Sequence, residues 1–95
     1  MAAVAGLLSD DAIEQGIAGL EWERRGDELV KTVQRRDFAD AMSFVNEVAR
    51  VAEAAGHHPD ISISWNTVGL ALSTHSAGGI TGADLDLARR IDGIG

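Results

Sequence analysis

Apolar positions along this chain recur with two different periods. Phe38, Ala41, Val45, Val48, Ala52 and Ala55 fall at helical spacing, with Met42 and Ala49 flanking the stripe on one side and Phe44 and Val51 on the other. The pattern predicts a helix over residues 37–56, ended by Gly56 in the left-handed conformation. After Pro59 the period shortens to two. Ile61, Ile63 and Trp65 alternate with Ser62 and Ser64, and Val68, Leu70 and Leu72 repeat the alternation beyond a turn at Asn66, so a second pair of extended segments is expected.

The flanking segments carry end signals. Ser9 precedes Asp10, Asp11 and Glu14, an N-cap followed by carboxylates at the positive end of a helix dipole, and Gly16 and Gly19 keep that helix short. Gly26-Asp27 separates extended candidates over residues 21–25 and 28–34, which predicts a hairpin. Near the end, Thr81 with Asp84 three residues on resembles a capping box, with Asp in the place of Glu or Gln. Leu85, Leu87, Ala88, Ile91 and Ile94 then supply a buried side. The order helix, two strands, helix, two strands, helix predicts an α+β fold, a four-stranded antiparallel sheet with helices on one face.

Length and charge narrow the function. With 95 residues the chain is expected to form one domain over residues 1–95. A formal charge of −7 works against direct nucleic-acid binding. The start, "MAAVAGLLSDD", has no basic residue ahead of its apolar run and meets acid at once, unlike a secretory leader, and no run reaches the length of a membrane span. A cytoplasmic protein is expected. The breadth of the apolar stripe on residues 37–56 and the open edges of so small a sheet both point toward self-association, as a homodimer or homotetramer.

There is no cysteine, so thiolate chemistry is excluded and proton transfer falls to histidine and the carboxylates. Three histidines stand within a short span: His57 and His58 before Pro59, and His75 after the second extended run. If the strand after Pro59 pairs antiparallel with the strand ending near Ser73, its start lies opposite that strand's end, and His57 or His58 approaches His75. Each residue also has a plainer reading. The His-His pair can sit at a helix terminus facing its last carbonyls, His75 can be a surface loop residue, Asp84 can be only a cap, Glu53 only a solvated acid, and Trp65 can be core. A zinc site drawing on Asp60 or Glu53 lacks the i, i+4 ligand spacing of a helical metal motif, and neither metal nor cofactor is expected.

Taken together, "EAAGHHPDISISWN", "LSTHSAGGITGADLDLARRID" and the upstream "GLEW" resemble the pterin-4a-carbinolamine dehydratase family. The matching positions are Glu53, His57, His58, Pro59, Trp65 where the family has Tyr, Thr74, His75, Ile80 in a Leu position, and Asp84. The resemblance implies dehydration of 4a-hydroxytetrahydropterin to quinonoid dihydropterin, which recycles the cofactor spent by aromatic amino-acid hydroxylases. It implies catalysis by His57, His58 and His75, with His57 and His75 as the acid–base pair and His58 binding or polarising the pterin. Asp84 and Glu53 are expected in support, each beside a histidine and Glu53 beside His57. Pro59, Trp65 and Thr74 are expected with His58 in substrate binding. The resemblance also implies oligomers with sheets joined across dimers and helices packed between them. The competing class is a non-catalytic dimerisation module of the same fold, since some animal members partner a homeodomain transcription factor.

Overall fold

The computed structural model describes residues 6–95; the first part of the stretch on which the leader reading rests, residues 1–5, lies outside them. The elements are α1 (Asp10–Ile17), β1 (Glu23–Arg25), β2 (Glu28–Gln34), α2 (Phe38–Ala55), β3 (Asp60–Ser64), β4 (Thr67–Leu72), a 3-10 turn (His75–Ala77) and α3 (Gly82–Asp92). The sheet runs β1-β2-β4-β3, antiparallel throughout. This is the expected α+β order, with the 3-10 turn added between β4 and α3.

Register assigns every sheet residue to a face. Leu29 pairs with Leu72, Val33 with Val68, and Ile61 with Leu70, so these share one side. Leu29, Val68 and Leu72 are fully buried there against Ala41, Val48 and Ala52 of α2 and Leu87 and Ala88 of α3. Burying each large aliphatic side chain contributes ~1.5–3 kcal/mol, which makes this layer the main stabilising contact. The opposite face carries Glu23, Thr32, Ser62, Ser64 and Thr67 and lies open. Helices on one side and small polar residues on the other follow directly from the period-two pattern.

Local chemistry sets the element ends. Ser9 accepts from the Ala12 N–H at the start of α1, and Asp37 accepts from the Asp40 N–H at the start of α2. Gly56 ends α2 at φ 66°, where its N–H reaches the carbonyls of Ala52 and Glu53. Gly16 lets α1 approach α3 closely: a Cβ there would lie 2.4 Å from Leu85 Cδ1 and force that side chain to shift. A clamp fixes the other end of the sheet: Lys31, only 12% exposed, reaches Asp92 Oδ1 at 2.5 Å, and the Trp22 indole N–H donates to the same oxygen at 2.8 Å.

Three expectations are corrected. β1 begins at Glu23 rather than Glu21, because the Glu21 N–H and the Trp22 indole turn to Asp92 instead of joining the ladder. The buried stripe of α2 runs through Ala41, Phe44, Val48 and Ala52, while Phe38 is 53% exposed. The helix is rolled toward Phe44, whose ring lies 5.2 Å from the Arg35 guanidinium. Finally, Trp65 is not core: it is 66% exposed in the β3–β4 turn at φ 50°, and its neighbour Asn66 is the buried one. The Asn66 side chain donates to the Arg35 carbonyl at 2.8 Å, and the Arg35 N–H returns a bond to the Asn66 carbonyl. Those bonds take Asn66 inward and leave the indole outside.

Candidate active site

β3 and β4 bring the histidine segments to one corner. Their register pairs Asp60 with Ala71, and continuing it three residues past Asp60 sets His57 level with Thr74. α3 begins at that same corner, so Asp84 in its first turn points into the junction.

Asp84 is the centre of the cluster. It is fully buried, and both of its oxygens are engaged in hydrogen bonds. His57 Nε2 lies 2.5 Å from Oδ1, while Oδ2 takes the Thr74 hydroxyl at 2.8 Å and the Thr81 N–H at 2.8 Å. The Thr74 and Thr81 hydroxyls are 2.8 Å apart. Because the Thr74 hydroxyl donates to Asp84, its oxygen receives the Thr81 hydroxyl proton, and Thr81 in turn accepts from the Ala83 N–H. The capping box expected from Thr81 and Asp84 is therefore present, and its carboxylate has a free side that holds an imidazole.

This geometry has a chemical consequence. An ionised carboxylate can only accept, so Asp84 in that form takes its bond from Nε2–H of His57. Nδ1 is then the ring nitrogen left to give or take a proton. The His57 side chain is 18% exposed, accessible at one edge and fixed at the other. Such a held imidazole is suited to general acid–base work.

The other histidines are placed differently. His58 Nε2 bonds Glu53 Oε2, and both side chains are solvent-accessible. Glu53 thus serves His58 and not His57. Gly56 takes the chain off the helix, so the one-turn spacing from Glu53 to His57 no longer places their side chains together, and the next residue swings back over α2. His75 opens the 3-10 turn and is exposed. Its position is set by paired bonds between the Thr74 and Gly79 backbones, which close the loop around it. Thr74, expected on the substrate, spends its hydroxyl on Asp84 and Thr81. Pro59 is half-buried between His58 and β3 in a trans peptide.

Trp65 is the residue the chain does not bring to this corner. It lies at the opposite end of β3 from His57, eight residues on, roughly 25 Å away at ~3.3 Å per strand residue. Thr81 is the participant that sequence reasoning treated only as a cap; the capping-box spacing was its signal. Among the described residues no group of three or more His, Asp or Glu side chains is arranged to hold a metal ion. Two surface depressions, one of about 370 Å³ along β1, β2 and β4 and one of about 340 Å³ between β2 and the end of α3, are not lined by a histidine.

The pterin 4 alpha carbinolamine dehydratase family model matches residues 6–94. A Nocardia farcinica protein named pterin-4-alpha-carbinolamine dehydratase is 56% identical, over 90% of this chain and 92% of its own length. One from Roseiflexus castenholzii under the same name is 54% identical over 96% and 99%. Among solved structures, a Brucella melitensis protein described as a transcriptional coactivator/pterin dehydratase superposes with a TM-score of 0.84 at 27% identity, covering 90% of this chain and 94% of that one. A pterin dehydratase-like protein described as a RuBisCO assembly factor of the alpha-carboxysome superposes at 0.61 with 23% identity over 77% and 84%, a likeness of fold.

Proposed function

The chain belongs to the pterin-4-alpha-carbinolamine dehydratase family, and from that premise we propose that it dehydrates 4a-hydroxytetrahydropterin to quinonoid dihydropterin and water. The C4a–O bond breaks as the hydroxyl leaves with a proton, N5 gives up its proton, and a C4a=N5 double bond forms. No electrons are transferred, so the step asks only for an acid at the hydroxyl and a base at N5. Imidazoles supply both. His57, held through Nε2 by buried Asp84, and His75 on its pinned turn are the acid–base pair; His58, tethered by Glu53, binds or polarises the pterin. The observation that carries this reading is the His57–Asp84–Thr74 chain, which orients one imidazole where a second follows in sequence from the same network.

The wider setting belongs to the same proposal. A domain spanning residues 1–95 works as a homo-oligomer in the cytoplasm and supplies recycled pterin to an aromatic amino-acid hydroxylase. Among the described residues no helix is long and apolar enough to cross a membrane, which is compatible with that setting.

A second reading, a binding module without catalysis, is favoured by the coactivator description of the Brucella relative. His57→Ala and His75→Ala separate the two readings. Each is expected to slow carbinolamine dehydration by ~10²–10⁴-fold relative to wild type. Wild-type rates in both variants would overturn the catalytic reading and leave the binding module.

A further inference from the structure

Thr81 sits where three pieces of the chain cross. The segment before α1 is tied to it from one side: Leu7 forms an antiparallel bridge with Thr81, and the Leu8 N–H donates to the Ile80 carbonyl at 3.0 Å. The loop that carries His75 returns to it from a second side, and α3 begins on the third. The residue is 8% exposed, and its methyl Cγ2 lies 3.6 Å from where a Cβ on Gly6 would stand. The hydroxyl faces Thr74.

As an N-cap, Thr81 needs only to accept from the Ala83 N–H, which it does at 3.3 Å. That duty uses the oxygen and leaves the proton idle. Here the proton is used as well. An amide N–H only donates, so Thr81 accepts from Ala83 and sends its one proton to the Thr74 oxygen, while the one proton of Thr74 goes on to Asp84 Oδ2. The reverse order would set a Thr74 lone pair 2.8 Å from an ionised oxygen. The Thr81 N–H reaches the same Oδ2 at 2.8 Å. Thr81 therefore acts on this carboxylate twice, directly through its backbone and by way of Thr74 through its side chain.

We propose that Thr81 is a positioning residue for the dehydration, whose hydroxyl fixes the plane of the Asp84 carboxylate and so the His57 imidazole. The proposal rests on the dehydratase reading. Rotation about the last side-chain bond of an aspartate is soft. One donor on Oδ2 marks a point about which the carboxylate still turns; a second, from another direction, sets its plane. Oδ1 then has one place, 2.5 Å from His57 Nε2. The second donor is the Thr74 hydroxyl, which is itself free to rotate until Thr81 occupies one of its lone pairs. Thr81 acts through its neighbours and not on the substrate, so its loss should lower kcat and leave KM unchanged.

Thr81→Val tests this, because valine keeps the shape, suits the extended backbone at φ −124° and ψ 178°, and lacks the hydroxyl. kcat should fall about tenfold, the rate equivalent of one neutral hydrogen bond. Thr81→Ser, which keeps the hydroxyl, should recover the rate. The lost cap should lower melting by about 4–8 °C. Should the valine chain not fold, Thr81→Gly removes the same hydroxyl at a position where helix starts accept glycine at little cost. Thr74→Val removes the group through which Thr81 acts, so adding Thr81→Val to it should slow the reaction no further. In ¹⁵N–¹H spectra of the histidine rings, the His57 Nε2 proton should exchange with water faster in Thr81→Val than in wild type or Thr81→Ser. A wild-type kcat in the folded hydroxyl-free variant, or a double variant slower than Thr74→Val by the full Thr81→Val factor, would overturn the proposal and leave Thr81 a helix cap. If wild type itself does not accelerate dehydration, the dehydratase reading falls and the ring spectra still judge Thr81. Equal proton exchange in wild type and Thr81→Val would then overturn its hold on His57, and faster exchange in the variant would uphold it.

Discussion

Replacing Asp84 separates its structural duty from its chemical one, because the two duties use different oxygens. In Asp84→Ala both oxygens vanish. The Thr81 side chain still caps α3 by accepting from the Ala83 N–H, and only the reciprocal half of the capping box is lost. The Thr81 N–H and the Thr74 hydroxyl are orphaned beside a fully buried position, at ~1–3 kcal/mol each. The total, about 2–6 kcal/mol, is a large share of the ~5–14 kcal/mol expected for a domain of this size. Melting should fall by at least ~8 °C at ~4–8 °C per kcal/mol. Asp84→Asn is different. Its amide oxygen can replace Oδ2 and keep both donors, so the loss should be about 1 kcal/mol. Its NH₂ then faces His57, donates where the carboxylate accepted, and drives the imidazole proton from Nε2 to Nδ1. The nitrogen that should exchange protons with substrate is now blocked in the wrong form. Comparable tautomer reversals cost up to ~10⁴ in rate, and ~10²–10⁴ is expected here. The assays are thermal melting, the carbinolamine dehydration rate, and ¹⁵N chemical shifts of the His57 ring. A stable Asp84→Asn variant with a reversed tautomer and a wild-type rate would refute the argument.

Two further predictions concern stability. Burial pushes the Asp92 carboxyl up, but hydrogen bonds from Lys31, Trp22 and the Glu21 N–H outweigh it and hold it below the ordinary carboxylate value. The stabilisation is therefore present above the unfolded value near 3.8 and lost as pH falls through the lower folded value. Asp92→Asn should cost about 1 kcal/mol at pH 7, discounted for partial exposure, and denaturant midpoints of variant and wild type should converge in acid; a gap independent of pH would contradict this. Gly56→Ala meets no neighbouring atom within 4 Å, so its cost comes from φ 66° alone. Denaturant titration should show a loss of about 1–2 kcal/mol, smaller for Gly56→Asn, and equal losses for the two would count against the left-handed cap.

The helices and the order of elements along the chain were readable because each rests on local chemistry: a capping side chain, a left-handed glycine, a two-residue period. The histidine corner was partly readable for the same reason, since antiparallel pairing of two adjacent strands fixes which ends meet. What was lost depends on contacts distant in sequence. Alternation through Ile61, Ile63 and Trp65 reads as one buried face, but burial needs a covering element, and α2 rolls toward Phe44 and α3 instead. Trp65 leaves the strand because Asn66 is claimed by Arg35, thirty-one positions earlier. Glu53 was assigned to His57 by helical spacing, a rule that ends where Gly56 ends the helix. The Thr74 hydroxyl could not be assigned from a motif, because its partners come from α3 and its cap.

The central claim is that this histidine corner removes water from a carbinolamine. It is tested most directly by generating 4a-hydroxytetrahydropterin and following its loss with and without the purified protein. The account predicts a saturable acceleration over the spontaneous reaction that Asp84→Asn largely abolishes in a folded chain. Decay at the spontaneous rate, whatever the protein concentration, would contradict it.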